Sequence, residues 1–166
     1  MKKPDVILVD DHHIFRKGLN SLLSIEKLAT VIGEASNGLE LLELLSDHNP
    51  DIIIMDIDMP EMNGFETTAK VLEIMPKVKI IVLTMFEDYA YFQKILELGA
   101  VGFLLKSSNI VDFEKAIQQV MKGNKFYSIS QTNEKSIINQ QNKHKNGNEN
   151  TKYKDKGNKY PEIPWF

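Results

Sequence analysis

Short apolar runs alternate along the chain with longer stretches in which apolar residues recur every three or four positions. The runs are typical of β-strands and the longer stretches of amphipathic helices, so the pattern predicts five strand–helix units. Two middle runs, Ile52–Met55 and Ile80–Leu83, are apolar throughout, which favours strands covered on both faces in a parallel sheet. The predicted strands are Val6–Asp10, Val31–Ala35, Asp51–Asp56, Lys79–Thr84 and Val101–Leu105.

The predicted helices are bounded by residues suited to helix ends. Asn37 and Asn63 each precede a glutamate by three positions, the spacing of a helix N-cap with a reciprocal carboxylate. Gly99 and Gly123 stand where a left-handed C-terminal cap is expected. Five such units with right-handed crossovers predict a three-layer α/β fold, with a five-stranded parallel sheet between helices on both faces.

The alternating pattern stops near Tyr127, and we place the predicted domain at residues 1–127. Residues 131–159 contain seven Asn and seven Lys but few large apolar residues, too few to offset the entropy of ordering the chain. Residues 128–166 are therefore predicted to be an Asn/Lys-rich disordered tail. Its end, YPEIPWF, is expected to have no function, with a docking peptide or a flap folded on the domain as alternatives.

Composition and charge narrow the function classes. The 166 residues include no cysteine, which excludes disulfide scaffolds, thiol nucleophiles and cysteine-ligated metal sites and fits a reducing cytoplasm. Residues 1–128 contain 13 Lys and Arg against 19 Asp and Glu, so DNA binding by the predicted domain is not supported. No apolar run suits a signal peptide or reaches the roughly 18 residues of a membrane helix, so we expect a cytoplasmic protein without membrane contact.

Polar side chains stand at the carboxyl ends of the predicted strands. Asp10 and Asp11 end the first strand, Asp56 the third and Thr84 the fourth, and Lys106 follows the fifth. Because ligands of open α/β sheets bind at that edge, we expect these side chains to converge. Crowded carboxylates raise one another's pKa unless a cation shares the site, and Mg²⁺ is the oxygen-seeking cation that meets this need. The three aspartates therefore predict a magnesium pocket.

The other two side chains suit a phosphoryl group. Lys106 offers a mobile point charge and Thr84 a hydrogen-bond donor, both of which stabilise charge on phosphoryl oxygens. A carboxylate can itself accept the phosphoryl group as a nucleophile and form an aspartyl phosphate.

Four separate motifs resemble the receiver domain of two-component response regulators, the CheY-like family. The resemblance covers about residues 4–123, and the opening DDHHIFRKGL with the MPEMNG loop is most similar to receivers of LuxR/FixJ-type transcription regulators. It implies the flavodoxin/CheY-like fold with strand order 2-1-3-4-5. The motifs are the Asp10–Asp11 pair, IIIMDIDMPEMNG from Ile52 to Gly64, LT at Leu83–Thr84, and GFLLK from Gly102 to Lys106.

The resemblance implies roles for the acidic residues. Asp56 matches the aspartate that accepts a phosphoryl group from a sensor histidine kinase. Asp11 and Asp56 match direct Mg²⁺ ligands, with Asp10 acting directly or through water. The backbone carbonyl of Asp58 matches the third protein contact to the ion.

The resemblance also implies a switch. Thr84 matches the hydroxyl that moves toward the phosphoryl oxygen, Lys106 the ammonium that pairs with it, and Phe103 the aromatic that then turns inward. The surface of the fourth helix, fifth strand and fifth helix is expected to rearrange and to serve a homodimer or another partner. The chain is thus expected to be a phosphoacceptor, with at most slow autodephosphorylation, rather than an enzyme.

Three departures from the family pattern are visible. Ser107 stands where many receivers have proline. Asp58 follows Asp56 by two residues and Phe86 follows Thr84 by two, and both are expected either to lengthen or to shorten the lifetime of the aspartyl phosphate. LuxR/FixJ-type regulators continue into a helix-turn-helix domain of roughly 60 residues, whereas residues 129–166 are too few and too polar for one. A single-domain regulator, a truncated DNA-binding regulator and a tail that is itself the output all remain open.

Two further interpretations concern residues near the site. A phosphatase of the haloacid dehalogenase type would use Asp56 and Asp58 as nucleophile and general acid, but its DxD motif belongs on the first strand and here lies on the third. His12 and His13 lie at a loop-to-helix entry, where solvated or capping roles are favoured over metal ligation.

Overall fold

Parallel strands build the centre of the molecule. The computed structural model describes residues 2–85 and 87–128, and every element named below lies in these ranges. The strands are β1 (Asp5–Val9), β2 (Thr30–Ala35), β3 (Ile52–Asp56), β4 (Lys79–Thr84), β5 (Gly102–Leu105) and β6 (Phe126–Tyr127). They form one sheet in the order β2-β1-β3-β4-β5-β6, and each neighbouring pair is parallel.

Five helices connect the strands and cover the sheet. They are α1 (His13–Ile25), α2 (Gly38–Leu44), α3 (Gly64–Ile74), α4 (Tyr89–Leu98) and α5 (Ile110–Met121). Buried residues of α1 and α5 pack with alternate residues of the central strands in one core cluster, while α2, α3 and α4 contact one another in series. Since both faces of β3 and β4 are covered, their runs are apolar at nearly every position.

These elements confirm the predicted α/β fold and the order 2-1-3-4-5. Each of the five predicted strands begins and ends within one residue of the observed one. The structure adds β6, which pairs Phe126 with Gly102 and Tyr127 with Phe103 of β5. A strand of two residues has no alternation to recognise, so periodicity could not predict it.

Helix ends agree with the predicted caps in most respects. Asn63 and Glu66 form the full capping box, and Gly99 and Gly123 adopt the left-handed conformation, with φ of 101° and 85°. Asn37 accepts from the amide of the residue three positions on, but the carboxylate there bonds to the amide of Ser36 rather than to that of the N-cap. The capping box at α3 matters most, because it fixes the loop that follows Asp56.

Several predictions concern residues outside the described ranges. The Asn/Lys-rich tail predicted at 128–166 lies there, except for Ser128. Phe86, which is predicted to alter the phosphoryl lifetime, lies there too.

Among the described residues, no helix has the length and apolar character needed to cross a membrane.

Candidate functional site

The sheet brings the predicted strand-end residues to one edge. Asp10 follows β1, Asp56 ends β3, Thr84 ends β4, and Lys106 follows β5. The two aspartates and Thr84 are each 2% exposed. The ammonium of Lys106 lies 2.7 Å from Oδ2 of Asp56 and 2.8 Å from Oδ2 of Asp10. One cation therefore lies between two buried carboxylates that come from different strands.

Burial and charge set the protonation of this pair. Burial raises the pKa of Asp56 above its ordinary value, and the negative charge of Asp10 adds to the rise, although the hydrogen bond from Lys106 opposes it. Burial alone would lower the pKa of Lys106, but its contacts with Asp10 and Asp56 raise it instead. Lys106 is consequently charged at neutral pH. Its charge only partly offsets the cost of burying the ionised carboxylate of Asp56, and a second cation nearby would lower that cost further.

His12 joins the site as a residue that the sequence analysis did not place there. Its backbone amide donates to Oδ1 of Asp10 at 2.8 Å, and its Nδ1 lies 3.2 Å from that oxygen and 3.1 Å from Oδ1 of Asp11. The same nitrogen is 3.3 Å from the ammonium of Lys106. His12 is the N-cap residue of α1 but makes no side-chain capping bond. The sequence feature that could have placed His12 at the site is its position directly after Asp10 and Asp11.

The residues present fit a divalent cation. Ligand atoms of Asp10, Asp11, His12 and Asp56 lie within 4.8 Å of one another, and we call these four residues the metal-ligand cluster. Oδ2 of Asp10 is buried, and the Lys106 ammonium lies 2.8 Å from it. Carboxylate oxygens from three aspartates at one site match the preference of Mg²⁺ for oxygen ligands. The imidazole would additionally suit Mn²⁺ or Zn²⁺.

The loop after β3 approaches the phosphoacceptor candidate closely. The amide of Asp58 donates to Oδ1 of Asp56 at 3.3 Å, and the amide of Gly64 donates to the carbonyl of Ile57 at 2.8 Å. A Cβ at Gly64 would lie 2.5 Å from the carbonyl oxygen of Asp56, so only glycine permits this approach. The Asp58 side chain is exposed and outside the metal-ligand cluster, a position that does not favour it as a general acid. Its carbonyl as a metal ligand stays a prediction.

Thr84 and Phe103 occupy neighbouring strands beneath the site. The carbonyl of Thr84 accepts a hydrogen bond from the amide of Lys106 at 2.8 Å, so the end of β4 fixes the start of the Lys106 loop. Phe103 is fully buried on β5, and its ring meets that of Phe92 edge to face, with centroids 5.2 Å apart. The positions suit the predicted switch, whose motion stays a prediction.

Comparison with known proteins gives the site its context. The sequence model of the response regulator receiver domain family matches residues 6–118 of this chain. The chain is 36% identical over 121 residues to the transcriptional regulatory protein DegU of Brevibacillus brevis, covering 73% of this chain and 51% of DegU.

Two solved structures are similar over most of the domain. The receiver domain of a NarL response regulator from Mycobacterium tuberculosis superposes with a TM-score of 0.70 at 34% identity, over 75% of this chain and all of that one. The receiver domain of RcsB from Salmonella enterica, determined with a phosphomimetic beryllium fluoride, gives 0.71 at 29% identity, over 76% of this chain and 94% of that one.

The relatives differ from this chain in length. The chain spans about half of DegU, and 66% of the oxygen regulatory protein NreC of Staphylococcus haemolyticus. The match therefore concerns the receiver and not the remainder of those regulators. Because the family model covers more than half of the chain, this chain belongs to the receiver domain family of two-component response regulators.

Proposed function

We propose that this chain accepts a phosphoryl group on Asp56 from the phosphohistidine of a sensor histidine kinase and switches a binding surface in response. The observation that carries the proposal is the placement of Lys106, whose ammonium bonds to Oδ2 of Asp56 inside an edge pocket with two further aspartates. Response regulators as a family receive phosphoryl groups from sensor histidine kinases and act as switches rather than as enzymes on external substrates.

The proposed reaction uses the carboxylate of Asp56 as nucleophile. One of its oxygens forms a bond to phosphorus while the bond from phosphorus to the kinase imidazole nitrogen breaks, and the imidazole leaves with the electron pair and takes up a proton. Lys106 already lies 2.7 Å from Oδ2 and needs only a small movement to pair with a phosphoryl oxygen. Asp10, Asp11 and Asp56, with the carbonyl of Asp58, would hold Mg²⁺, which neutralises charge on the phosphoryl oxygens when bound.

Release of Lys106 from Asp56 provides the proposed trigger. Once Asp56 carries a phosphoryl group, Lys106 and the hydroxyl of Thr84 are drawn toward the new oxygens, and Phe103 follows into the space that Thr84 leaves. The surface of α4, β5 and α5 changes as a result. We propose that this surface binds a second copy of the chain; RcsB is described as dimers bound to DNA. DNA contact is not part of the proposal, because residues 1–128 carry an excess of acidic side chains.

Return to the resting state is proposed to occur by slow hydrolysis of the aspartyl phosphate. The side chain of Asp58 is exposed two residues after Asp56, and we propose that it alters the rate of this hydrolysis. We propose that the chain acts in the cytoplasm, where it would meet the phosphohistidine of the kinase.

Intact mass spectrometry after incubation with acetyl phosphate and Mg²⁺ tests the proposal. We expect one phosphoryl adduct on the unmodified chain, none on Asp56→Asn, and none when excess chelator is present. Asp47→Asn is the matched control, since it changes an exposed carboxylate in the loop between α2 and β3 and should still form the adduct. An adduct that survives Asp56→Asn or chelation would overturn the assignment, as would folded protein that forms none even with a phosphorylated histidine kinase domain.

A further inference from the structure

Arg16 is a buried charged residue outside the metal-ligand cluster. It lies in the first part of α1 and is 8% exposed. Its Nη1 donates to the backbone carbonyl oxygen of Asp10, and its Nε donates to Oε2 of Glu34 on β2 at 2.9 Å. One guanidinium therefore joins the loop after β1 to the edge strand of the sheet.

The backbone of Asp10 is held from both sides by consecutive residues of β2. Its amide donates to the carbonyl of Ala35 at 3.0 Å, and its carbonyl is held through Arg16 by Glu34. The β1–β2 register ends where Val9 pairs with Ala35. Arg16 thus supplies a partner to a carbonyl that lies just beyond the last pair of the ladder.

Glu34 fixes Arg16 and neutralises its charge. The carboxylate also accepts hydrogen bonds from Nδ2 of Asn20 at 2.7 Å and from Nζ of Lys17 at 3.0 Å. Although burial acts in the opposite direction, these three donors lower the pKa of Glu34 to about 2, so it stays ionised. The Arg16–Glu34 pair consequently orients the loop without adding a net positive charge that would repel a cation from the aspartates.

We propose that Arg16 is a positioning residue for the phosphorylation site: by holding the peptide between Asp10 and Asp11, it sets the direction of two metal-ligand carboxylates. Rotation of that peptide would move both side chains, because it joins them directly. The inference rests on the proposed function, since it concerns the cation that the phosphoryl transfer requires. Hydrogen-bond partners that orient ligands in this way typically change metal affinity by about 10- to 100-fold when removed.

The test compares Arg16→Met with Lys17→Met in the full chain. Lys17 contacts Glu34 but makes no bond to Asp10, so it controls for loss of a Glu34 partner. Mn²⁺ binding is measured by electron paramagnetic resonance of the free ion, and phosphorylation by acetyl phosphate is followed over a range of Mg²⁺ concentrations. For Arg16→Met we expect about tenfold weaker Mn²⁺ binding and a matching rise in the half-saturating Mg²⁺, with a smaller change in the maximal rate. Lys17→Met should stay within about twofold of the unmodified chain.

A second variant keeps the test decisive if Arg16→Met does not fold. Arg16→Lys retains a cation beside Glu34 but lacks the planar fork that reaches two acceptors, and we expect weaker Mn²⁺ binding with a melting temperature close to that of the unmodified chain. If folded Arg16 variants bind Mn²⁺ as Lys17→Met does, the inference is wrong while the proposed function stands. If the unmodified chain forms no Asp56 adduct, the proposed function itself fails, and the two failures are thereby distinguished.

Discussion

The ammonium of Lys106 lies 2.7 Å from Oδ2 of Asp56, although 50 residues separate the two in the chain. It lies almost as close to Oδ2 of Asp10. Lys106 therefore compensates two buried carboxylates at once and is held in the place from which it would contact a phosphoryl group. Its removal should therefore affect stability as well as the proposed phosphoryl transfer.

We expect Lys106→Met to depend on divalent cations for stability. Without Lys106, the buried carboxylates of Asp10 and Asp56 lack their cation, and breaking a buried ion pair costs about 3 kcal/mol. Urea unfolding in chelator should show that loss, and Mg²⁺ should raise the melting temperature of the variant more than that of the unmodified chain. Lys70→Met, at an exposed site on α3, is the control and should respond to Mg²⁺ as the unmodified chain does. Equal Mg²⁺ responses in all three would contradict the account.

Asp56→Asn should make the metal-free protein more stable at neutral pH. Burial raises the pKa of Asp56 above 3.8, so its ionised form destabilises the fold above the raised pKa, and this cost is absent below 3.8. Asparagine removes the charge, while Lys106 keeps its contact with Asp10. We expect a higher Tm than that of the unmodified chain, measured by calorimetry at pH 7 in chelator. A lower Tm than that of the unmodified chain would show that the Lys106 contact outweighs burial.

Gly64→Ala should destabilise the loop that follows Asp56. The added Cβ would meet the carbonyl oxygen of Asp56 at 2.5 Å and Cα of Ile57 at 2.8 Å, so backbone must move, at a cost of about 2 kcal/mol. Gly18→Ala in α1 is the control, because nothing lies within 4 Å of its Cβ and alanine favours a helix by about 1 kcal/mol. In chemical denaturation, the unfolding midpoint should fall for Gly64→Ala and rise for Gly18→Ala. Equal stability of the two variants would contradict the close approach of Gly64 to the backbone of Asp56.

The contribution of Glu34 to folding stability should depend on pH. Its pKa falls from 4.5 to about 2 in the folded chain, so its contribution is complete above pH 4.5 and is lost as the pH falls toward 2. Because solvent screens this partly exposed carboxylate, only part of the shift appears as stability, and we expect about 1 kcal/mol at neutral pH. Glu34→Gln should therefore be less stable at pH 7, and the difference should shrink between pH 4.5 and 2. Glu73→Gln, at an exposed position of α3, should show no such convergence, and a pH-independent difference for Glu34→Gln would contradict the pairing.

The fold was largely predictable because its signals are local and repeated. Strands such as β3 and β4 are buried on both faces, so their sequences are apolar over whole runs, and each ends in a polar residue at the carboxyl edge of the sheet, where ligands of open α/β sheets bind. The shortest element, β6, escaped prediction because Phe126 and Tyr127 become a strand only through pairing with β5.

Parts of the site depend on tertiary contacts that no local pattern encodes. His12 looked like a helix-entry residue, and only the folded β1–α1 loop directs its Nδ1 toward Asp10 and Asp11. The pairing of Arg16 with Glu34 joins residues 18 positions apart on a helix and a strand, each of which would pass as ordinary surface charge in the sequence. Such pairs become visible once the register of β1 with β2 is known.

The most direct test of the central claim is to locate the phosphoryl group after treatment with acetyl phosphate and Mg²⁺. Borohydride reduces an aspartyl phosphate to homoserine, and peptide mapping by mass spectrometry then identifies the altered position. The account predicts homoserine at position 56 alone, absent when the reaction is run in chelator. Homoserine at position 10, 11 or 58, or a phosphoryl group on a serine, threonine or histidine, would contradict it.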